Sequence, residues 1–202
     1  VKFILSILAV LAIVFLVGCS AKDTRDNKLS NSEITKLGKK YGGVYVFNKK
    51  FEKEIDDREK ERKNYMDNFF KTKKVFKKDD LKVLDNTLPQ TLSNGKKYYT
   101  TTRAYGEDYN KQAKLPEIYK EKIINFIGQE DYNKFKPSML LSYFYVDDNQ
   151  DIVPIVVSVY YTVGYTKYGF FGDEGRGFSL SRRDVKDVGG DSIFYLEDTE
   201  RK

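Results

Sequence analysis

The sequence predicts an α+β fold: a single, mainly antiparallel sheet with one or two helices packed on one face. Three observations predict it. Residues 139–146 and 152–165 are long runs of β-branched and aromatic side chains, joined by the turn-forming Asp147-Asp148-Asn149-Gln150-Asp151. Residues 116–127 place Ile118, Tyr119, Ile123, Phe126 and Ile127 on one helical face, amphipathic and made to lie on a surface. Helical and extended segments occupy separate stretches of chain instead of alternating, which favours hairpins with segregated helices over a parallel βαβ sheet.

Along the chain, residues 20–40 are polar and rich in Ser, Asn, Asp and Lys, as a flexible tether would be, with a short helix within 32–40. Tyr41-Gly42-Gly43 breaks that helix, and Val44-Tyr45-Val46-Phe47 reads as a short strand or a hydrophobic lead-in. From Asn48, a good N-cap, to about Lys74 nothing interrupts a helix, and Glu54/Arg58, Asp56/Lys60 and Glu59/Lys63 support it as acid-before-base pairs. Its apolar side chains, Phe51 and Ile55, then Tyr65, Met66, Phe69 and Phe70, flank a wholly polar middle. That pattern predicts a helix held at its ends and solvated between. Residues 81–84 and 96–103 read as strands. The helix at 116–127 begins with Pro116 in a favourable first-turn position and stops at Gly128. In 152–165, Val153, Ile155, Val157, Val159, Tyr161 and Val163 alternate onto one face, with Pro154, Ser158, Tyr160 and Thr162 on the other. Five glycines then punctuate residues 164–177, and the last strands fall at 177–181 and 192–196.

Composition narrows the chemistry. The 16 Tyr and 14 Phe suffice for a packed core, and the size suits one domain. The chain has no histidine, which removes Ser-His-Asp and Cys-His catalysis and the usual zinc sites. One cysteine rules out an intramolecular disulfide, so packing alone must stabilise the fold. The formal net charge is +6, and residues 49–78 carry 12 basic against 7 acidic side chains. Basic charge therefore gathers in the N-terminal part, as a solvated face or as a surface attracted to anionic lipid or wall polymer.

The N-terminus specifies location. Lys2 precedes an apolar run over residues 3–17, and Leu16-Val17-Gly18-Cys19 closes it, which is the layout of a secretory signal peptide. The run is shorter than the roughly twenty residues needed to cross a bilayer. The closing tetrapeptide resembles the lipobox of bacterial lipoproteins. The resemblance covers residues 1–20 and implies cleavage between Gly18 and Cys19, a diacylglyceryl group on the Cys19 sulfur and N-acylation of the new terminus. Several acyl chains together make a lasting anchor where one does not. The implied organisation is a signal peptide over 1–18, lipidated Cys19 with a tether to 40, and one α+β domain over 41–202. The implied location is the cell envelope: the outer membrane if the source has two membranes, otherwise the outer face of the plasma membrane.

For the domain itself the expected role is binding or structural, without catalytic residues, cofactor or metal. Tyr143, Tyr145, Tyr160, Tyr165 and Tyr168 are candidates for a tyrosine-rich sheet face that contacts an envelope protein or wall polymer, since tyrosine combines contact area with a hydroxyl. Asp147–Asp151 matches the opening of a calcium loop, but Ile152 and Ser158 stand where glycine and a closing glutamate belong. Lys96-Lys97-Tyr98-Tyr99 interleaves bases and rings as nucleic-acid binders do, yet an exported protein is not expected to meet nucleic acid. Two other functions fit the same domain. One is a carboxylate-based hydrolase of wall material using Glu107, Asp108, Asp173 or Glu174; the other is a small-ligand carrier with a closed apolar pocket.

Overall fold

A computed structural model of the chain describes residues 29–73, 75–173, 175 and 177–196. Residues 1–28, with the expected signal peptide, Cys19 and most of the expected tether, lie outside the described residues. The elements are α1 (Asn31–Tyr41), β1 (Gly43–Val46), α2 (Lys49–Thr72), α3 (Lys78–Thr87), β2 (Tyr98–Tyr99) and α4 (Thr102–Tyr109). They continue with α5 (Glu117–Ile127), α6 (Gln129–Lys134), β3 (Ser138–Val146), β4 (Ile152–Asp173), β5 (Gly177–Val188) and β6 (Ser192–Tyr195). The architecture is α+β. Strands run in the order β2-β3-β4-β1-β6, antiparallel except for β1 beside β6, and β5 pairs with the distal half of β4.

α1 is closed at its start by a reciprocal cap: Ser30 Oγ accepts from the Glu33 N–H, and the Glu33 carboxylate accepts from the Ser30 N–H. Ile34 is fully buried. The folded body therefore reaches back at least to Leu29, and the tether expected over 19–40 is shorter than its polar composition suggests. A Cβ on Gly38 would meet the Val188 carbonyl oxygen at 2.6 Å, so glycine is what lets α1 lie against the end of β5. On this face Ile34, Tyr45, Ile123, Ile127, Leu141, Phe144, Val157, Val159, Tyr161 and Val163 make one apolar core with α1, α4 and α5.

The second face is built differently. Here α2 crosses the sheet over Val46, Ile155, Val156 and Tyr98, contributing Ile55 and Phe51. Helices thus cover both faces, not one. The polar middle of α2 is solvated on its outer side, as its composition suggests, but docked on its inner side. Glu54 accepts from Ser93 N–H and Oγ, Glu59 from Tyr98 Oη at 2.7 Å and from Gln90, and nearly buried Arg62 donates to Asp85 and to the Leu88 carbonyl. A ladder of charged side chains docks this helix onto residues 85–98, where an apolar stripe would ordinarily do so.

One predicted strand is helical and another is cut short. Residues 81–84 lie within α3, with buried Leu84 facing inward, and only Tyr98–Tyr99 of the 96–103 segment pairs as a strand. Thr101 caps α4 by accepting from the Ala104 N–H, so the threonine run marks a helix start. The alternation in β4 also breaks. Its register against β3 shifts around Tyr143. Ile155 consequently joins Val156 beneath α2, while Val157, Val159, Tyr161 and Val163 face α1 and α5. Pro154 sits at this irregularity and is buried, paired with Phe144. The turn between β3 and β4 is made by Asp147, whose Oδ1 accepts from the Asn149 and Asp151 N–H groups.

Candidate functional site

Register places the candidate tyrosines. Tyr143 and Tyr145 lie on the α2 face, Tyr145 in edge contact with Phe51 at 5.8 Å between ring centres. Tyr160 pairs with Ser138 two residues beyond Ser158, on the same face. Tyr168, paired with Ser181, keeps that parity far out on the β4–β5 hairpin and is exposed. Tyr165 points to the opposite face, with Val163. So one face holds Tyr143, Tyr145, Tyr160 and Tyr168, but as a line along the sheet, and Phe51 already occupies Tyr145.

Where α2 begins, it leaves the next row of this face uncovered. Val44 pairs with Ser158 and with Ile193, and Ser158 pairs with Leu140. These four side chains form the floor of an open groove of about 600 Å³. Leu140 and Ile193 are half exposed, at 50% and 53%. Tyr143 and Val156 close one end, Glu52 and Asp56 of α2 form one wall, and Thr100, Thr101 and Thr102 form another. Ser142 and Ser158 share a hydrogen bond of 2.8 Å at its centre. Burial raises the Tyr143 phenol above its ordinary pKa, and the carboxylates of Asp56, Glu59 and Glu52 push the same way. Tyr143 therefore stays a neutral hydroxyl in a negative field.

The groove has an apolar floor, hydroxyls on one side and carboxylates on the other. That arrangement suits an elongated partner with small apolar groups and cationic or hydroxyl substituents. The sequence pointed to Tyr143 alone among these residues. Val44, Ile193 and the threonines come from segments far apart in the chain, and Glu52 and Asp56, one turn apart at the start of α2, are the one local signal that could have marked a wall.

The carboxylates proposed for hydrolysis are placed otherwise. Glu107 pairs with Arg103 on α4. Asp108 accepts from Lys97 and Tyr99, which hold its carboxyl below the usual range, the wrong direction for a general acid. The side chain of Asp173 and Glu174 lie outside the described residues. Asp148 of the calcium-like turn pairs with Lys96, and among the described residues no group of three or more acidic side chains is placed to hold a metal ion. Lys97, of the basic-aromatic segment, is held by Asp108 and lies over the Tyr99 ring.

Comparison with protein-family models, with curated proteins and with solved structures yields no match for this chain.

Proposed function

We propose that the protein is a cell-envelope lipoprotein, held to a bilayer by diacylglyceryl and N-acyl chains on Cys19, whose domain binds an elongated protein or wall-polymer partner in the groove beside α2. The single observation that supports the binding role is the uncovered row Ile193–Val44–Ser158–Leu140, an apolar floor left open between acidic and hydroxyl walls. Val44 packs at the edge of the α2-side core, while Leu140 and Ile193 stay half exposed, and exposed apolar surface of this kind commonly marks an interaction site. The lipobox tetrapeptide Leu16-Val17-Gly18-Cys19 supports the anchor.

The test uses the chain from Ser20 onward, which keeps every described element. Its binding to isolated wall sacculi and to a detergent extract of envelope proteins is measured beside a Ser158→Arg variant, which fills the groove. The variant should retain wild-type circular dichroism and bind at least about tenfold more weakly, as loss of a central contact does. Equal binding by both proteins would exclude the groove, and release of wall fragments would make the domain a hydrolase. For the anchor, Cys19→Ala should move the full chain from the membrane fraction to the soluble fraction.

A further inference from the structure

From Tyr161 outward β4 leaves the sheet with β5 as a two-stranded arm. Its outer part is the most exposed apolar surface among the described residues: Phe170, Leu180 and Phe178 are 78%, 71% and 66% accessible. Phe178 and Leu180 share a side by alternation along β5, and the rings of Phe170 and Phe178 meet at 5.4 Å. Lys167 and Arg182 stand on the same side, one step nearer the sheet, paired with Asp184. Lys186 follows on the same strand and makes no ion pair among the described residues.

The same side of the arm carries the start of α1. Asn31 Nδ2 donates to the Gly164 carbonyl at 2.9 Å, while Gly38, farther along the helix, packs on Val188 at the arm's base. The chain therefore enters α1 from the direction of the arm's tip. Eleven residues separate Cys19 from Asn31, a span of at most about 40 Å when extended. Phe170 lies six residues beyond Gly164, about 20 Å along the strand. A lipid on Cys19 and the ring of Phe170 can thus share one plane. Of the residues between Cys19 and Asn31, 20–28 carry no apolar side chain larger than alanine, and Leu29 is packed against the core.

We infer that the arm is a second membrane contact: Phe170, Phe178 and Leu180 enter the interface of an anionic bilayer, with Lys167, Arg182 and Lys186 reaching the headgroups. The inference uses the proposed anchor at Cys19 to choose the bilayer as occupant. A ribbon that carries Phe170, Phe178 and Leu180 on one face with basic side chains behind them matches the chemistry of that interface. Its effect would be to orient the domain. The α2 groove opens on the opposite face of the sheet and would look away from the lipid.

The chain has no tryptophan, so Phe170→Trp places a unique reporter at the contact. The lipid-free protein beginning at Ser20 is mixed with vesicles of phosphatidylcholine and phosphatidylglycerol, or of phosphatidylcholine alone. The emission should shift to the blue on the mixed vesicles and less on the neutral ones. Adding Phe178→Ser and Leu180→Ser should weaken partitioning at least about tenfold, with the thermal transition of the domain unchanged. No shift on either vesicle, from protein that is folded by circular dichroism, would overturn the inference. So would a blue shift without vesicles that grows with protein concentration, because a second copy would then cover the arm. Cys19 takes no part in this assay: failure here with lipidated Cys19 in the native protein removes the arm contact alone, whereas vesicle binding with unmodified Cys19 removes the anchor alone.

Discussion

The two faces of the sheet are held by opposite means. Toward α1 and α5 the contacts are apolar and continuous, with Ile34, Tyr45, Ile123, Val157 and Tyr161 shielded from solvent. Toward α2 the apolar contact is confined to the first turns, around Phe51 and Ile55, and charged side chains dock the remainder of the helix. The difference shows why a groove exists on one face only. Apolar helices pack until the sheet is covered, because each uncovered side chain costs free energy. A helix docked through directional polar contacts is held wherever its partners are, and the row beside it can stay open.

The comparison breaks most visibly at the apolar face. Ile123→Ala should cost about 2–5 kcal/mol in denaturant unfolding, since it leaves a cavity in a packed core. On the other face, Arg62→Ala should cost less, about 1–3 kcal/mol, because it removes the ion pair with Asp85 and the hydrogen bond to the Leu88 carbonyl. That effect should shrink in high salt, while the effect of Ile123→Ala should not. Equal salt response of the two variants would mean the faces do not differ as described.

A smaller effect sharpens the contrast through pH. Tyr41 donates to Asp131 at 2.7 Å, and with Lys134 it holds that carboxyl down to about 2. The folded value lies below the unfolded one. The contribution of Asp131 to stability is therefore complete above about pH 4 and disappears as pH falls to about 2. Tyr41→Phe raises the folded value, so the variant should be less stable at neutral pH. Its difference from wild type should close across that acid window in pH-dependent melts. The smallest effect carries the opposite sign. Tyr161 Oη is buried without a hydrogen-bond partner among the described residues. Tyr161→Phe should thus be neutral or stabilising by up to about 1 kcal/mol; a marked loss of stability would show that the hydroxyl is bonded.

Several elements were legible from neighbours in the chain. The cap at Asn48, the stop at Gly128 and the Asp147 turn act through groups within a few residues, and all three form as read. The same reasoning fails at residues 81–84, whose apolar alternation is too short to tell a strand from one helical turn; acidic residues in the first turn of α3 favour the helix. At Ile155 it reaches only part of the way: Pro154 marks an edge or bulge near the start of the strand, but which residue changes face is a relation between two strands. The candidate tyrosines, expected as a patch, lie as a line and are divided at Tyr165 by strand parity.

By itself, the order of residues determined the α+β class, the main antiparallel hairpin, the amphipathic α5 and a chemistry without imidazole or disulfide. It also carries the tetrapeptide at Cys19 on which the anchor is proposed. These follow from periodicity, local capping and composition, which need no knowledge of distant partners. Tertiary structure decided which face Ile155 joins, that Glu59 and Arg62 dock α2, and that Val44, Leu140, Ser158 and Ile193 share an open floor. Such outcomes depend on strand order and register, where residues more than a hundred positions apart become neighbours.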